Sequence, residues 1–473
     1  MKTHDQPCAA ALISMLAKRE LSAVELLDST ATRIDTQNAV INAIVSLDLE
    51  AARRKAVEID EARVHGRQLG LLAGLPLAIK DTEATKGMRT TFGSPIYRDL
   101  IPDHSSAMVE RLVAAGANII GKTNVPEFAL GSHTFNPLFG TTRNPWNPAL
   151  SAGGSSGGAA AAVASGMLAL ADGSDYGGSL RNPGSFNNLI GLRTSAGRVA
   201  RYPVHDSYPG FTVNGPLARS AVDAALMLSV MAGPDRRDPW SIPIDGATFL
   251  APLERDFRGV RIAYSATLGG LPVEAEVAAA TRRAVARLEQ LGAIVEDAEP
   301  DLSGADQAFE TLRALAMASQ YGHLLKTRRH DLKDTAIWNI EAGMNLSIDA
   351  ITRASTSRSR LFQTMRRFLE RYEFLVAPVS QVSPFAVETS YPEQIEGQQL
   401  QHYLEWMRSC SRITITGHPA MSVPGDFTSS GMPVGLQVVG RMQDEWSLLQ
   451  LAHALEQVGD VATRRPPLQA RPD

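Results

Sequence analysis

Residues 153–181 read G-G-S-S-G-G-A-A-A-A-V-A-S-G-M-L-A-L-A-D-G-S-D-Y-G-G-S-L-R. Two glycine clusters, each holding serine, flank an alanine-rich run that suits a buried helix over 159–168. Glycine has no Cβ, so such clusters let backbone N–H groups come close to a ligand atom. The second cluster, Asp172 to Arg181, reads as a glycine-rich turn. Upstream, Leu75 to Ile79 is a short apolar run bounded by Gly74 and by Lys80-Asp81, the pattern of a buried strand. Lys80 therefore stands at a strand end among apolar neighbours, and taken alone it reads first as the strand's exit to solvent.

These residue types point to nucleophilic chemistry. An attacking serine needs a base to take its proton and N–H donors for the oxyanion that forms. In the turn around Gly177-Gly178-Ser179, the N–H groups of Tyr176 through Ser179 make a candidate nest. Asp175 and Arg181 flank it and would hold it rigid through charge-assisted hydrogen bonds. A glycine turn with an incidental serine is the plainer alternative.

Two other motifs compete. Gly116-A-N-I-I-Gly121-Lys122-Thr123 matches the P-loop pattern, but that pattern needs a strand before the first glycine and a helix at the lysine. Here a helix (106–115) precedes, an apolar strand (117–120) lies inside, and Pro126 follows soon after, so nucleotide binding is not expected. Gly153-G-Ser155-S-Gly157 formally fits a nucleophile elbow with Ser155 as nucleophile. An elbow demands a preceding strand, whereas 136–152 reads as an irregular Pro/Asn loop. None of His205, His323, His330, His402, His418 and His453 has a context that marks it as the partner base.

Working outward, Ser22 and Glu25 form a capping box, and residues 1–70 read as a helical layer. Strands are expected at 260–264, 293–295, 374–377 and 434–439, and helices at 222–231, 277–291 and 448–456. Residues 305–370 read as mostly helical, with Arg328, Arg329 and His330 on a solvated face, and 465–473 as a loosely ordered tail. The strand–helix–strand run over 260–295 is a βαβ unit, which favours parallel neighbours. The expectation is α/β: one large domain over 1–473, with a central mixed, largely parallel twisted sheet covered by helices on both faces.

With 473 residues, 44% of them hydrophobic, the chain can bury a large core. A net charge of −4 with acids and bases interspersed invites neither nucleic acid nor anionic lipid. Two cysteines, Cys8 and Cys410, rule out a disulfide framework. The start lacks an apolar signal core, and no run approaches a membrane span. A cytoplasmic protein is expected, with a homodimer left open.

The stretch 74–200 resembles the amidase signature family of serine hydrolases. Its hallmark G-G-S-S-G-G stands at 153–158 and its second hallmark, here G-S-D-Y-G-G-S-L-R, at 173–181. G-L-P-L-A-I-K-D at 74–81, G-K-T-N-V-P-E-F at 121–128, N-P-W-N at 144–147, G-H-P-A-M-S-V-P at 417–424 and G-M-P-V-G-L-Q-V-V-G-R at 431–441 extend the likeness over most of the chain. The resemblance implies Ser179 as nucleophile, Ser155 as the relay serine on a cis peptide, and Lys80 as the base. It also places Ala129 on the substrate side and Ser156 in support of the loop. It implies no metal and no organic cofactor, and a small-molecule amide as substrate. The same resemblance admits an alternative, the glutaminase subunit of a tRNA-dependent amidotransferase. The chain departs from the family at G-L-R-T-S-A-G-R-V (191–199), Ser174 and G-D-F (425–427); segments 201–214 and 380–410 are expected to shape the pocket.

Overall fold

The computed structural model describes residues 7–208 and 210–467. The chain start and residues 468–473 of the expected loose tail lie outside the described residues. Near the N-terminus the capping box forms as its residues predict. Ser22 Oγ accepts the Glu25 N–H at 3.0 Å and the Glu25 carboxylate accepts the Ser22 N–H at 2.8 Å, opening the helix Ala23–Ile41. The helix Leu49–Val64 follows. This layer is not wholly helical, however. Ile44–Leu47 is a strand antiparallel to Asn118–Thr123, which itself runs parallel to Pro76–Lys80. Four residues between two helices are too few to show a period in sequence.

The main sheet has eight strands. Their order is Ile294–Asp297, Arg261–Tyr264, Phe374–Pro378, Pro433–Val439, Ala420–Phe427, Ile190–Arg193, Val213–Ala218 and Leu170–Asp175. It is mixed, as expected, but not largely parallel. Only Arg261–Tyr264 pairs in parallel, with both of its neighbours, and the other five junctions are antiparallel. The crossover helix Ala275–Gln290 does build the anticipated parallel unit. The C-terminal half instead folds back on itself, because Ala420–Phe427 and Pro433–Val439 are joined by a short turn that allows only antiparallel pairing.

Alternate residues of Pro433–Val439 show how both faces are covered. Val434 packs with Val277 and Ala280 of the crossover helix. On the opposite face, the Gly435 N–H donates to Ser185 Oγ (2.7 Å) and Gln437 Oε1 accepts from Arg181, both from the short helix Arg181–Phe186. The expected helical stretch after residue 305 comprises Ala305–Thr327, Asp334–Met344 and Ile348–Arg371, and Arg328, Arg329 and His330 are exposed.

Two expectations near the site need correction. Residues 136–152 are not an irregular loop: they hold most of two small hairpins, Phe135–Asn136 with Gly140–Thr141 and Arg143–Asn144 with Asn147–Ser151. The expected turn over 172–181 begins as strand, since Leu170–Asp175 pairs along its whole length with Val213–Ala218. L-A-D-G-S-D has none of the β-branched or aromatic residues that mark strands, so only the pairing partner determines its conformation.

Candidate functional site

Three segments converge on one lysine. Pro76–Lys80 delivers Lys80, which is fully buried. Its Nζ donates to Ser155 Oγ (2.9 Å), Ser156 Oγ (2.8 Å), Ser174 Oγ (2.9 Å) and the Ser174 carbonyl (3.3 Å). The lysine is not a strand's exit to solvent. Its backbone N–H donates to the Asp172 carboxylate (3.1 Å), docking its strand beside Leu170–Asp175. Burial lowers the Lys80 amine to about 8, against a partial opposing pull from Asp172, Glu83 and Asp175.

Ser155 follows a cis Gly154–Ser155 peptide and opens towards the helix Gly157–Ala164, every residue of which is buried. The Ser156 N–H donates to the Ser179 carbonyl at 3.2 Å, tying the two glycine clusters together. Ser155 and Ser179 line one cavity of about 140 Å³, with Ala129, Tyr176, Gly177 and Ser174 in its wall. The sequence-derived site residues are thus brought into one place. Ser156 also donates to the Ser174 carbonyl and accepts the Ser174 N–H, both at 3.3 Å.

The turn before Ser179 is held from beneath. Asp175 accepts Arg181 Nε (3.0 Å) and Nη2 (2.9 Å), Arg193 Nη1 (3.3 Å), and the N–H groups of Gly178 (2.9 Å) and Leu180 (3.1 Å). Burial alone would raise this carboxyl, but Arg181 and Arg193 hold it well below the usual carboxylate range. The expected nest over Tyr176 to Ser179 is corrected at one member, because the Gly178 N–H is spent on Asp175. Among the described residues the N–H groups of Tyr176, Gly177 and Ser179 make no hydrogen bond to the protein. Gly178 has φ +121°, and a Cβ there would meet Cys410 Cβ at 2.7 Å, so only glycine fits.

Sequence reasoning missed two residues, Asp172 and Ser174. They alternate along the strand Leu170–Asp175 and so face Lys80 together. Recognising that strand would have been the signal. Burial, with Glu83 adding to it, raises the Asp172 carboxyl to about 7. Both competing motifs lose their geometry. Lys122 is buried within a strand and donates to the Glu83 carbonyl (2.6 Å) and Thr85 Oγ1 (2.9 Å), leaving no phosphate cradle. Among the described residues no histidine lines the cavity that holds Ser155, as an elbow would require.

The inner cavity continues into an outer lobe of about 350 Å³ lined by much of 200–212, so that part of the expected pocket-shaping sequence does reach the site; Met407 does so from the other segment. Among the described residues no helix is long and apolar enough to cross a membrane.

The α/β fold sets a buried lysine against Ser155 and Ser174 of the cavity wall, and the comparisons with known proteins make the chain a hydrolase that acts on amide bonds. The chain belongs to the Amidase family, whose model matches residues 25–449. It is 34% identical to an acylamidase of Rhodococcus erythropolis over 461 residues, covering 97% of this chain and 96% of that one. It is 35% identical to a glutamyl-tRNA(Gln) amidotransferase subunit of Moorella thermoacetica over 483 residues, with 97% of each covered. Among solved structures it is similar to a bacterial aryl acylamidase of the amidase signature family (TM-score 0.91, 29% identity, 97% of this chain and 99% of that one).

Proposed function

We propose that the chain hydrolyses the carboxylic amide bond of a small molecule through an acyl-enzyme on Ser179. The observation that carries this reading is Lys80 Nζ, buried and 2.9 Å from Ser155 Oγ, with Ser155 and Ser179 lining one cavity. A lysine at its ordinary value is protonated at neutral pH and cannot act as a base; burial makes the neutral amine accessible. Neutral Lys80 takes the Ser155 hydroxyl proton while Ser155 takes that of Ser179. Ser179 Oγ then attacks the carbonyl, and the N–H groups of Tyr176, Gly177 and Ser179 receive the oxyanion. On collapse the C–N bond breaks, and the leaving amine takes a proton from Ser155, which Lys80 replenishes. Water adds to the ester by the same relay, releasing the acid and restoring Ser179. Ala129 borders the acyl site, and residues 74–200 supply all three reacting side chains.

A second reading, the glutaminase subunit of a tRNA-dependent amidotransferase, is favoured by the match to the Moorella protein over nearly its whole length. Fluorophosphonate labelling of wild type, Ser179→Ala and Lys80→Ala tests the mechanism, with turnover of a small-amide panel that includes glutamine. An adduct on Ser179, lost in Ser179→Ala and slowed in Lys80→Ala, together with turnover of amides other than glutamine by the isolated chain, is expected. An adduct on Ser155 overturns the assignment. Glutamine turnover that requires added partner chains favours the second reading.

A further inference from the structure

The charged residue types in the wall of the inner cavity are Glu83, Arg201 and Arg313, a formal sum of one positive charge. Arg313, which is buried, and Arg201, which is partly exposed, differ from the other arginines near the site. Arg181 and Arg193 share the Asp175 carboxylate, and Arg198 pairs with Glu445. Arg313 is only 6% exposed, yet its hydrogen bonds go to neutral acceptors, Asn339 Oδ1 and Tyr403 Oη (2.8 Å). The Arg201 guanidinium has no hydrogen bond or ion pair among the described residues, although it lines both the inner cavity and the outer lobe. A buried cation is costly unless an anion meets it.

Two residues common to both linings also carry hydroxyls without a partner. Tyr176 Oη and Thr82 Oγ1 are buried and unbonded, and both residues line the junction of the two lobes. Tyr176 also lies within the field of Arg313 and Arg358. Two guanidiniums thus line a space next to the nucleophile, with the Glu83 and Asp238 carboxylates acting on Arg201. A planar anion arriving there would accept charge-assisted hydrogen bonds from a guanidinium. A single net positive charge matches a carboxylate, whereas a phosphomonoester would bring nearly two negative charges.

We propose that the cavity receives an amide substrate carrying a carboxylate, held by Arg313 and Arg201 on the arm that runs from Ser179 towards the outer lobe. The proposal rests on the Ser179 hydrolase reading and adds the substrate class to it. Arg313 and Arg201 are then specificity residues that touch the substrate away from the reacting carbon.

The test uses matched anilides: succinanilate against butyranilide for a carboxylate on the acyl side, and 4-acetamidobenzoate against acetanilide for one on the amine side. For at least one pair, wild type is expected to show kcat/KM at least about tenfold higher on the anionic member, chiefly through KM, as one charge-assisted contact implies. That ratio is expected to fall towards unity in both Arg313→Gln and Arg201→Gln. Arg201 is partly exposed, so its variant carries the test if Arg313→Gln fails to fold. Protection of Ser179 from the fluorophosphonate by each anilide gives a second readout where turnover is slow. Equal turnover and equal protection by charged and neutral members, with Ser179 still labelled, overturns this inference and leaves the hydrolase reading standing. Loss of labelling at Ser179 in wild type overturns both.

Discussion

The Lys80 amine makes a prediction that two independent measurements can check. Its value falls from 10.5 to about 8 because the group is wholly buried. At pH 7 about a tenth of the molecules then hold neutral Lys80, against about three in ten thousand at the ordinary value, a gain of about 300-fold in available base. The first measurement is the pH dependence of kcat/KM on a neutral amide. It should rise with unit slope to a plateau above about pH 8. The second is stability against denaturant. Between pH 8 and 10.5 the unfolded chain holds a proton on Lys80 that the native protein has released, so the contribution of this group to stability rises with pH across that window. The gap corresponds to about 3 kcal/mol, recovered as the pH passes 10.5. Lys80→Met removes this contribution to the slope together with the activity. Lys80→Arg keeps a cation that cannot be deprotonated in the accessible range and should also lose activity. A plateau already reached at pH 6, or an unchanged limb in Lys80→Arg, refutes the assignment of the base.

Other perturbations follow from the same geometry. Asp172→Asn removes a negative charge that raises Lys80 while keeping an acceptor for its N–H, so the acid limb of kcat/KM should move to lower pH; a limb that stays in place counts against the coupling. Ser174→Ala deletes one of the hydroxyls that hold Lys80 Nζ and should lower kcat about 10-fold, the worth of one hydrogen bond to a charged group; a change within about twofold would show that Ser174 does not position the amine. Asp175→Asn leaves two buried guanidiniums without their counter-charge and should cost about 3–5 kcal/mol in urea unfolding, a large share of the roughly 5–15 kcal/mol typical of a domain. A loss below about 1 kcal/mol would refute the role given to that network. Because Arg181 and Arg193 hold the Asp175 carboxyl low, its contribution is present above the usual carboxylate value and is lost only as the pH falls well below it.

What the sequence determined by itself was the chemistry-bearing stretch. Glycine and serine clusters signal close backbone approach whatever surrounds them; Asp175, Ser179 and Arg181 were legible as candidates from local pattern, and Lys80, Ser155 and Ser156 from the resemblance to the family's motifs. The capping box and the crossover unit over 260–295 were legible for the same reason, since helix starts and periodic apolar faces are local properties. Tertiary structure decided the rest. Leu170–Asp175 becomes a strand only because Val213–Ala218 pairs with it, and that pairing is what turns Asp172 and Ser174 towards Lys80. The mainly antiparallel sheet depends on which distant strands meet, and no local period records that choice. The Gly178 N–H was lost to the nest through a carboxylate three residues away, whose orientation is set by Arg181 and Arg193. Arg313 and Arg201, 112 positions apart, became candidates for one ligand only when folding placed both in the wall of the cavity that holds Ser179. Burial and charge at such a site are sums over neighbours brought from across the chain, and sequence order carries no record of those sums.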